Sequence, residues 1–137
     1  ERFEATEALF KPHLLDMESE GLSGQLWASI QACDIDLRSK LYEHVLLCGG
    51  GTMFPGLPTR VEQDMRALFL EHALKGDKSR MHRFKLKIED PPRRRHMAYL
   101  GAAVMAQLSE DVTENWITKA EWDESGPSII AQRFGTM

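Results

Sequence analysis

The chain has 137 residues, of which 42% are hydrophobic and 28% are charged, a composition typical of a globular domain and unlike that of a disordered segment. Its formal net charge of -4 gives no electrostatic reason to expect a nucleic acid or an acidic membrane surface as a partner. No apolar run approaches the ~20 residues of a membrane span, and no signal peptide is visible.

The two cysteines, Cys33 and Cys48, both lie among apolar residues. This setting predicts buried, reduced thiols and a cytoplasmic protein. The chain opens with Glu1 rather than methionine and starts within a patterned segment, "ERFEATEALF". We therefore expect it to be a piece of a longer protein.

The first part of the chain predicts short elements followed by two helices. Residues through Gly24 are typical of loops and short elements, and apolar spacing predicts a helix from Gln25. A second short helix is expected over residues 35–45, with Asp34 and Asp36 as N-cap candidates. Its predicted inner face consists of Leu37, Leu41 and Tyr42.

The middle of the chain predicts a strand, a helix and a second strand. The segment "HVLLC" is short, apolar at its centre and bounded by glycines, as in a fully buried, parallel strand. A long amphipathic helix is expected over residues 59–74, with its apolar stripe at Val61, Met65, Leu68, Phe69 and Ala73. The alternation in "RFKLKIED" predicts a half-buried strand. Together these elements form a βαβ unit.

The last part of the chain predicts helices. In "MAYLGAAVMAQLS", Leu100, Val104 and Leu108 recur at the i, i+4 and i+8 spacing of one helical face. A short helix is expected from Thr118, ended by Gly126 and Pro127, and an amphipathic segment closes the chain.

The three glycines after the first strand are the strongest functional signal in the sequence. Gly49, Gly50 and Gly51 would lie at the carboxyl end of a buried strand, the edge where open α/β sheets bind ligands. Without side chains, their amides can approach a ribose or a phosphate directly. The spacing matches neither a P-loop nor the dinucleotide fingerprint. A tight turn that binds nothing is the equally weighted alternative.

Two nearby side chains favour a ligand. Phe54 offers an aromatic surface for a base. Arg95 lies in the loop after the second strand, which is next to the glycine turn if the two strands are adjacent, and its guanidinium can stack on a flat ring. The alternatives are core packing for Phe54 and a solvated basic turn for the three arginines at 93–95. No nucleophile–base pair and no metal-ligand spacing is present, so we predict no catalytic residue and no metal ligand in this chain.

The chain resembles the C-terminal third of the actin fold in four segments: "ERFEATEALFKP", "CDIDLRSKLYEHVLLCGGGTMFPGL", "PPRRRHMAYLGAAVMAQL" and "WITKAEWDESGPSI". The resemblance follows the family's order over nearly the whole chain. It implies an α/β chain with the actin-like ATPase (ribonuclease H-like) fold, here its C-terminal portion. The glycine turn resembles the adenosine motif shared by the actin, sugar-kinase and 70-kDa heat-shock ATPases.

The resemblance implies ATP as the cofactor and assigns residues to its site. Those matching the nucleotide-binding positions are Gly49, Gly50, Gly51, Met53, Phe54 and Arg95. Gly50 would lie nearest the adenosine, Met53 and Phe54 would border the adenine, and Arg95 replaces the family's usual lysine. Gly51 and Phe54 depart from the threonine and tyrosine of conventional actin.

The resemblance also implies which subdomains of a longer protein this chain forms. Residues 1–99 would belong to the inner nucleotide-binding subdomain of the larger lobe, and residues 100–137 would return to the subdomain at the barbed end. The phosphate loops, the magnesium site and the hydrolytic residues would lie in the N-terminal half. Whether the complete protein hydrolyses ATP stays open.

Partners follow from the subgroup that the chain resembles. The stretches "FLEHALKGDKSRMHRF" and "KIEDPPRRRHM" differ from conventional actin and resemble actin-related proteins of a complex that nucleates branched actin filaments. The resemblance implies a cytoskeletal protein that contacts actin and other subunits of that complex. The residues matching a barbed-end docking cleft are Leu100, Val104, Met105 and Leu108. The alternatives are a conventional or nuclear actin-like protein, and an interaction module that binds no nucleotide.

Overall fold

The computed structural model describes residues 4–135. Within this range the α-helices are α1 (Glu4–Phe10), α2 (Leu22–Ala32), α3 (Ile35–Glu43), α4 (Leu57–Leu68), α5 (Met97–Leu108), α6 (Lys119–Ser125) and α7 (Ser128–Phe134). Two short strands are β1 (Val45–Leu46) and β2 (Ile88–Glu89). Short 3₁₀ segments cover Pro12–Leu15, Gly50–Thr52, Lys78–Arg83, Arg94–His96 and Thr113–Asn115, and a π-helical turn covers Phe69–Ala73.

The two strands pair in parallel, as the sequence predicts, with Val45 opposite Ile88. The second strand is much shorter than the predicted residues 83–90, because β1 has only a few residues between the end of α3 and the glycine turn. The predicted alternation is nonetheless present in the burial of this segment: Phe84 is buried, whereas Lys85 and Lys87 are exposed. The pattern therefore identified the inward face correctly and overestimated the length of the ladder.

The first strand is not fully buried, which corrects the prediction. Val45 is buried, but the side chain of Leu46 is 50% exposed because successive side chains of a strand point to opposite faces and only one face is covered. The predicted burial of the cysteines is also wrong. Cys48, on the segment that follows β1, is exposed, and Cys33, at the end of α2, is only half-buried; both are free thiols.

The core lies where α4 packs against α2 and the sheet. Val61 and Met65 of α4 are fully buried, which confirms the centre of the predicted stripe. Helix α4 begins two residues earlier than predicted, with a proline in its first turn. After Leu68 the helix widens into the π-helical turn, and Ala73 at its end is exposed.

An aromatic cluster extends this core towards α3. The rings of Phe69 and Phe84 stack at 3.8 Å between centroids, and Tyr42 meets Phe84 edge-on at 5.1 Å. Burial of Tyr42 raises the pKa of its hydroxyl, which accepts a hydrogen bond from Gln31 Nε2 at 2.8 Å. Tyr42 therefore anchors α3 to the rest of the core.

Tyr42 is the one predicted inner-face residue of α3 that is buried. Leu37 and Leu41 are 49% and 37% exposed, so their predicted burial is wrong. Arg38 of the same helix donates to Gln31 Oε1 and to two backbone carbonyls at the end of α2. Asp34 occupies the predicted N-cap position, but its side chain makes no capping hydrogen bond.

Contacts divide the chain into two compact units, one ending at Ala98 and the other beginning at Tyr99. In the second unit α6 begins as predicted: Thr118 Oγ1 accepts from the Glu121 amide, and the Glu121 carboxylate accepts from the Thr118 amide. Gly126, at a φ of 57°, ends α6. The helices found between residues 4 and 135 are all too short or too polar to cross a bilayer.

Candidate functional site

The candidate site is built where both strands end. A turn over residues 49–54 follows β1, and a loop over residues 90–96 follows β2. Because the strands are parallel, these two segments leave the same edge of the sheet. The ladder continues past the strands: the Leu47 amide donates to Glu89 O at 2.8 Å, and the Gly49 amide donates to Arg94 O at 2.8 Å. The two segments are therefore adjacent, as the sequence predicts.

Only the first of the three glycines is required by the backbone. Gly49 has φ 88° and ψ 157°, a backbone conformation that residues other than glycine essentially never adopt. Gly50 and Gly51 continue into a short 3₁₀ turn without a positive φ. A Cβ built on Gly51 meets no atom within 4 Å, and one built on Gly50 meets only Arg95, at 3.8 Å. The fold itself therefore leaves bare backbone facing open space at two positions.

Arg95 lies beside Gly50, as the sequence analysis expected of two adjacent loops. Its Cγ and Nε are 3.8 and 4.0 Å from the position of a Cβ on Gly50, and its side chain is exposed. A planar, exposed cation thus lies next to the open backbone. The arrangement fits a flat, electron-rich ring system placed over the turn.

Met53 and Phe54 are available to a ligand but face a separate depression. Their side chains are 42% and 48% exposed, so core packing does not account for Phe54. Both line a depression of about 440 Å³ together with Asp90 and Arg94. None of the three glycines lines that depression, nor does Arg95. The structure thus joins Gly50 to Arg95 and groups Met53 with Phe54, without uniting the two sets in one cavity.

Arg94 is a functional candidate that the sequence analysis missed. A solvated basic turn, the alternative for the three arginines at 93–95, is wrong for Arg94 because its side chain is only 9% exposed. Its guanidinium donates to Thr52 Oγ1 at 3.1 Å and to Thr52 O at 3.0 Å. It also donates to Asp90 O at 3.1 Å. In the sequence, nothing distinguishes Arg94 from its two arginine neighbours.

An ion pair lies beside the site, at the second strand. The Lys87 ammonium lies 2.6 Å from Glu89 Oε1 and lowers the pKa of that carboxyl, which stays ionised at neutral pH. Between residues 4 and 135, no group of three or more His, Cys, Asp or Glu side chains is arranged to hold a metal ion. The residues that converge here can bind and orient a ligand through backbone amides, aromatic area and the exposed guanidinium of Arg95.

A second exposed feature is the apolar face of α5. Leu100 and Val104 are 44% and 56% exposed, and Met105 and Leu108 are 60% and 74% exposed. All four predicted docking residues therefore lie on the surface of this chain. Such a contiguous row of large apolar side chains is unusual on a surface that binds nothing.

Comparison with known proteins identifies the family. The family model for actin matches residues 1–135. The chain is 47% identical over 135 residues to "Actin-related protein 2" of Saccharomyces cerevisiae, covering 98% of the chain and 34% of the relative. It is 46% identical to the protein of that name from Acanthamoeba castellanii over 134 residues (98% and 34%) and 47% identical to that from Drosophila melanogaster over 130 residues (95% and 33%).

These matches extend along almost the whole chain, whereas the chain spans about a third of the length of the relatives. The small parallel sheet with its covering helices agrees with the α/β, actin-like ATPase fold that the family implies. The chain belongs to the actin family.

Proposed function

We propose that the complete protein binds ATP and that this chain forms the adenosine side of its cleft. The observation that carries the proposal is the open backbone at Gly50, with the free guanidinium of Arg95 beside it. Gly49 sets the turn, Gly50 and Gly51 leave room for the nucleoside, and Arg95 lies against the base. Met53 and Phe54, which line the separate depression at the next segment of the turn, would border the adenine from that side.

Membership of the actin family implies that the remaining nucleotide contacts lie outside this chain. The phosphates and magnesium would be held by the N-terminal half of the complete protein. The division predicts that substitutions in this chain alter the affinity for the adenosine part and leave the chemistry of the phosphates untouched.

A titration of the complete protein with ATP tests this assignment. Gly50→Val is expected to weaken ATP binding at least about tenfold, because its side chain occupies the space reserved for the ligand. The backbone of Gly50 tolerates a side chain, since its Cβ makes only an ordinary contact with Arg95. Gly101→Val is the matched control, because it adds the same side chain at an exposed glycine outside the site whose Cβ meets no atom within 4 Å, and it should bind ATP as the wild type does. Unchanged affinity in Gly50→Val would contradict the proposal.

We further propose that the complete protein is a cytoplasmic, cytoskeletal subunit that helps nucleate branched actin filaments. Identity of about 47% along almost the whole chain with proteins named "Actin-related protein 2" supports this role. Residues 1–99 would then belong to the inner nucleotide-binding subdomain and residues 100–137 to the barbed-end subdomain. Partners would be actin and other subunits of the nucleating complex.

The apolar face of α5 is the proposed docking surface for these partners. Val104→Asp should reduce recovery of actin and of partner subunits in a pull-down with the complete protein, because it places a charge in an apolar contact. Gln107→Asp adds the same charge at an exposed polar position of α5 and is the control. Equal recovery with both variants would eliminate this surface.

An interaction module that binds no nucleotide is the second candidate function. It is favoured by the exposed row at Leu100, Val104, Met105 and Leu108, which needs no ligand to act. The two functions differ in their dependence on ATP. Partner recovery that is identical with and without ATP, together with no measurable ATP binding, would favour the module.

A further inference from the structure

We propose that Arg94 is a positioning residue that holds the glycine turn in the shape that receives the adenosine part of the nucleotide. This inference rests on the proposed ATP site. Its guanidinium is bonded to protein acceptors and would act through the turn, in contrast to Arg95, whose side chain is exposed beside Gly50.

Arg94 is the most buried basic side chain of the site. An arginine side chain that is 9% exposed needs its donors satisfied, because a buried charge without partners is costly. Its partners come from both segments that leave the sheet. Nε and Nη2 donate to Thr52 in the glycine turn, whereas Nη1 donates to the carbonyls of Asp90 and Pro91 in the loop after β2.

The contacts form a closed ring of hydrogen bonds around the turn. Arg94 Nε donates to Thr52 Oγ1 at 3.1 Å, and that hydroxyl donates to Gly49 O at 2.8 Å. The Gly49 amide then donates to Arg94 O at 2.8 Å. Each of the three residues thus fixes the next. The ring spans the two segments and encloses Gly50 and Gly51 between its fixed points.

The ring explains how a turn of three glycines can be rigid enough to bind. Glycine has the largest conformational entropy to lose, so Gly50 and Gly51 would sample many shapes if their ends were free. Clamping Gly49 and Thr52 removes most of these shapes before the ligand arrives. Preorganisation of this kind raises affinity by lowering the cost of ordering on binding.

Arg94→Lys tests the clamp in the complete protein. Lysine keeps the charge but lacks the planar fork that reaches several acceptors at once. Without nucleotide, the amides of residues 49–53 should exchange hydrogen for deuterium faster, while those of α4 should not change. The dissociation constants for ATP and ADP should both rise about tenfold, the size expected from one lost charge-assisted hydrogen bond. Their ratio should stay the same, because the clamp acts on the adenosine side alone.

Three further variants complete the experiment. Arg93→Lys alters an exposed neighbour and should leave exchange and affinity at wild-type values. Thr52→Val removes the hydroxyl of the ring and should reproduce the effect of Arg94→Lys, whereas Thr52→Ser should restore wild-type behaviour. If Arg94→Lys fails to fold, the comparison of Thr52→Val with Thr52→Ser still tests whether the hydrogen-bonded ring holds the turn.

The outcomes separate this inference from the function on which it rests. Wild-type binding with unchanged exchange and affinity in Arg94→Lys and Thr52→Val would overturn the positioning role alone. A change in the ratio of ATP to ADP affinity would also overturn it, since it would place the effect at the phosphates. No binding of either nucleotide by the wild type would overturn the proposed ATP site and this inference with it.

Discussion

Replacing Gly49 by alanine tests whether the turn after β1 depends on a conformation that only glycine adopts easily. Gly49 has φ 88° and ψ 157°. A residue with a Cβ is strained in this region whether or not other atoms are near, and no atom lies within 4 Å of a Cβ built there. Any loss of stability in Gly49→Ala therefore reports backbone strain and no collision.

The expected magnitude follows from comparing two neighbouring glycines. Strain at Gly49 should cost about 1–3 kcal/mol. Any glycine-to-alanine change also restricts the unfolded chain, which stabilises the fold by about 0.4–1 kcal/mol. Gly51→Ala carries only this second effect, because Gly51 has no positive φ and its Cβ meets no atom within 4 Å. The difference between the two variants isolates the strain at about 1–3 kcal/mol.

Urea denaturation of the complete protein, followed by circular dichroism, measures this difference. Both variants should show the same slope of unfolding free energy against urea as the wild type, so that the midpoints report stability. The midpoint of Gly49→Ala should fall and that of Gly51→Ala should stay or rise. Free energies of unfolding for the two variants that agree within about 0.5 kcal/mol would refute the strain argument.

Three further predictions test separate parts of the fold, the first two by the same denaturation assay and the third by amide exchange. Hydrogen bonds from Arg60 and Lys11 lower the pKa of Glu7 from 4.5 to about 2. The ionised carboxylate therefore stabilises the fold above pH 4.5, and this stabilisation is lost as the pH falls towards 2. Glu7→Gln should therefore be less stable than the wild type at pH 7 and converge with it in acid; a gap that is constant with pH would contradict this. Met65→Ala should lose about 2–5 kcal/mol because Met65 is 0% exposed, whereas Met105→Ala, at 60% exposure, should lose almost nothing; equal losses would refute the placement of the core. Thr118→Ala should weaken α6 by about 0.5–2 kcal/mol, measured by amide exchange in its first turn, and unchanged exchange would show that the cap is dispensable.

The elements that the sequence predicts well are those with local causes. The burial of Val61 and Met65 follows from helical spacing, and the beginning and end of α6 follow from Thr118 and Gly126. In each case the residues that decide the structure are within a few positions of each other. Short-range patterns of this kind depend little on the rest of the fold.

The wrong predictions concern which side chains are buried, because burial depends on contacts with residues that are distant in the sequence. Leu37, Leu41, Leu46 and Cys48 are apolar or lie among apolar residues, yet all are exposed. Composition indicates that a side chain favours burial, but another element must still pack on that face. The length of β2 has the same origin, since a strand pairs only as far as its partner continues.

The candidate site can likewise be predicted from the sequence only in part. The sequence identifies the glycine turn and the nearby position of Arg95, because strand order fixes which loops meet. It gives no reason to single out Arg94, whose side chain is buried and hydrogen-bonded in the structure, whereas those of Arg93 and Arg95 are exposed. The clamp formed by Arg94 appears only when Thr52, 42 positions earlier, is brought beside it.

A structure of the complete protein with ATP bound tests the central claim most directly. The claim is that the bare backbone of the glycine turn exists to receive an adenine nucleoside. We expect the purine and ribose in van der Waals contact with Gly50, with the Arg95 guanidinium and the Phe54 ring at the edges of the base. A purine bound elsewhere, with solvent against Gly50, would contradict the account.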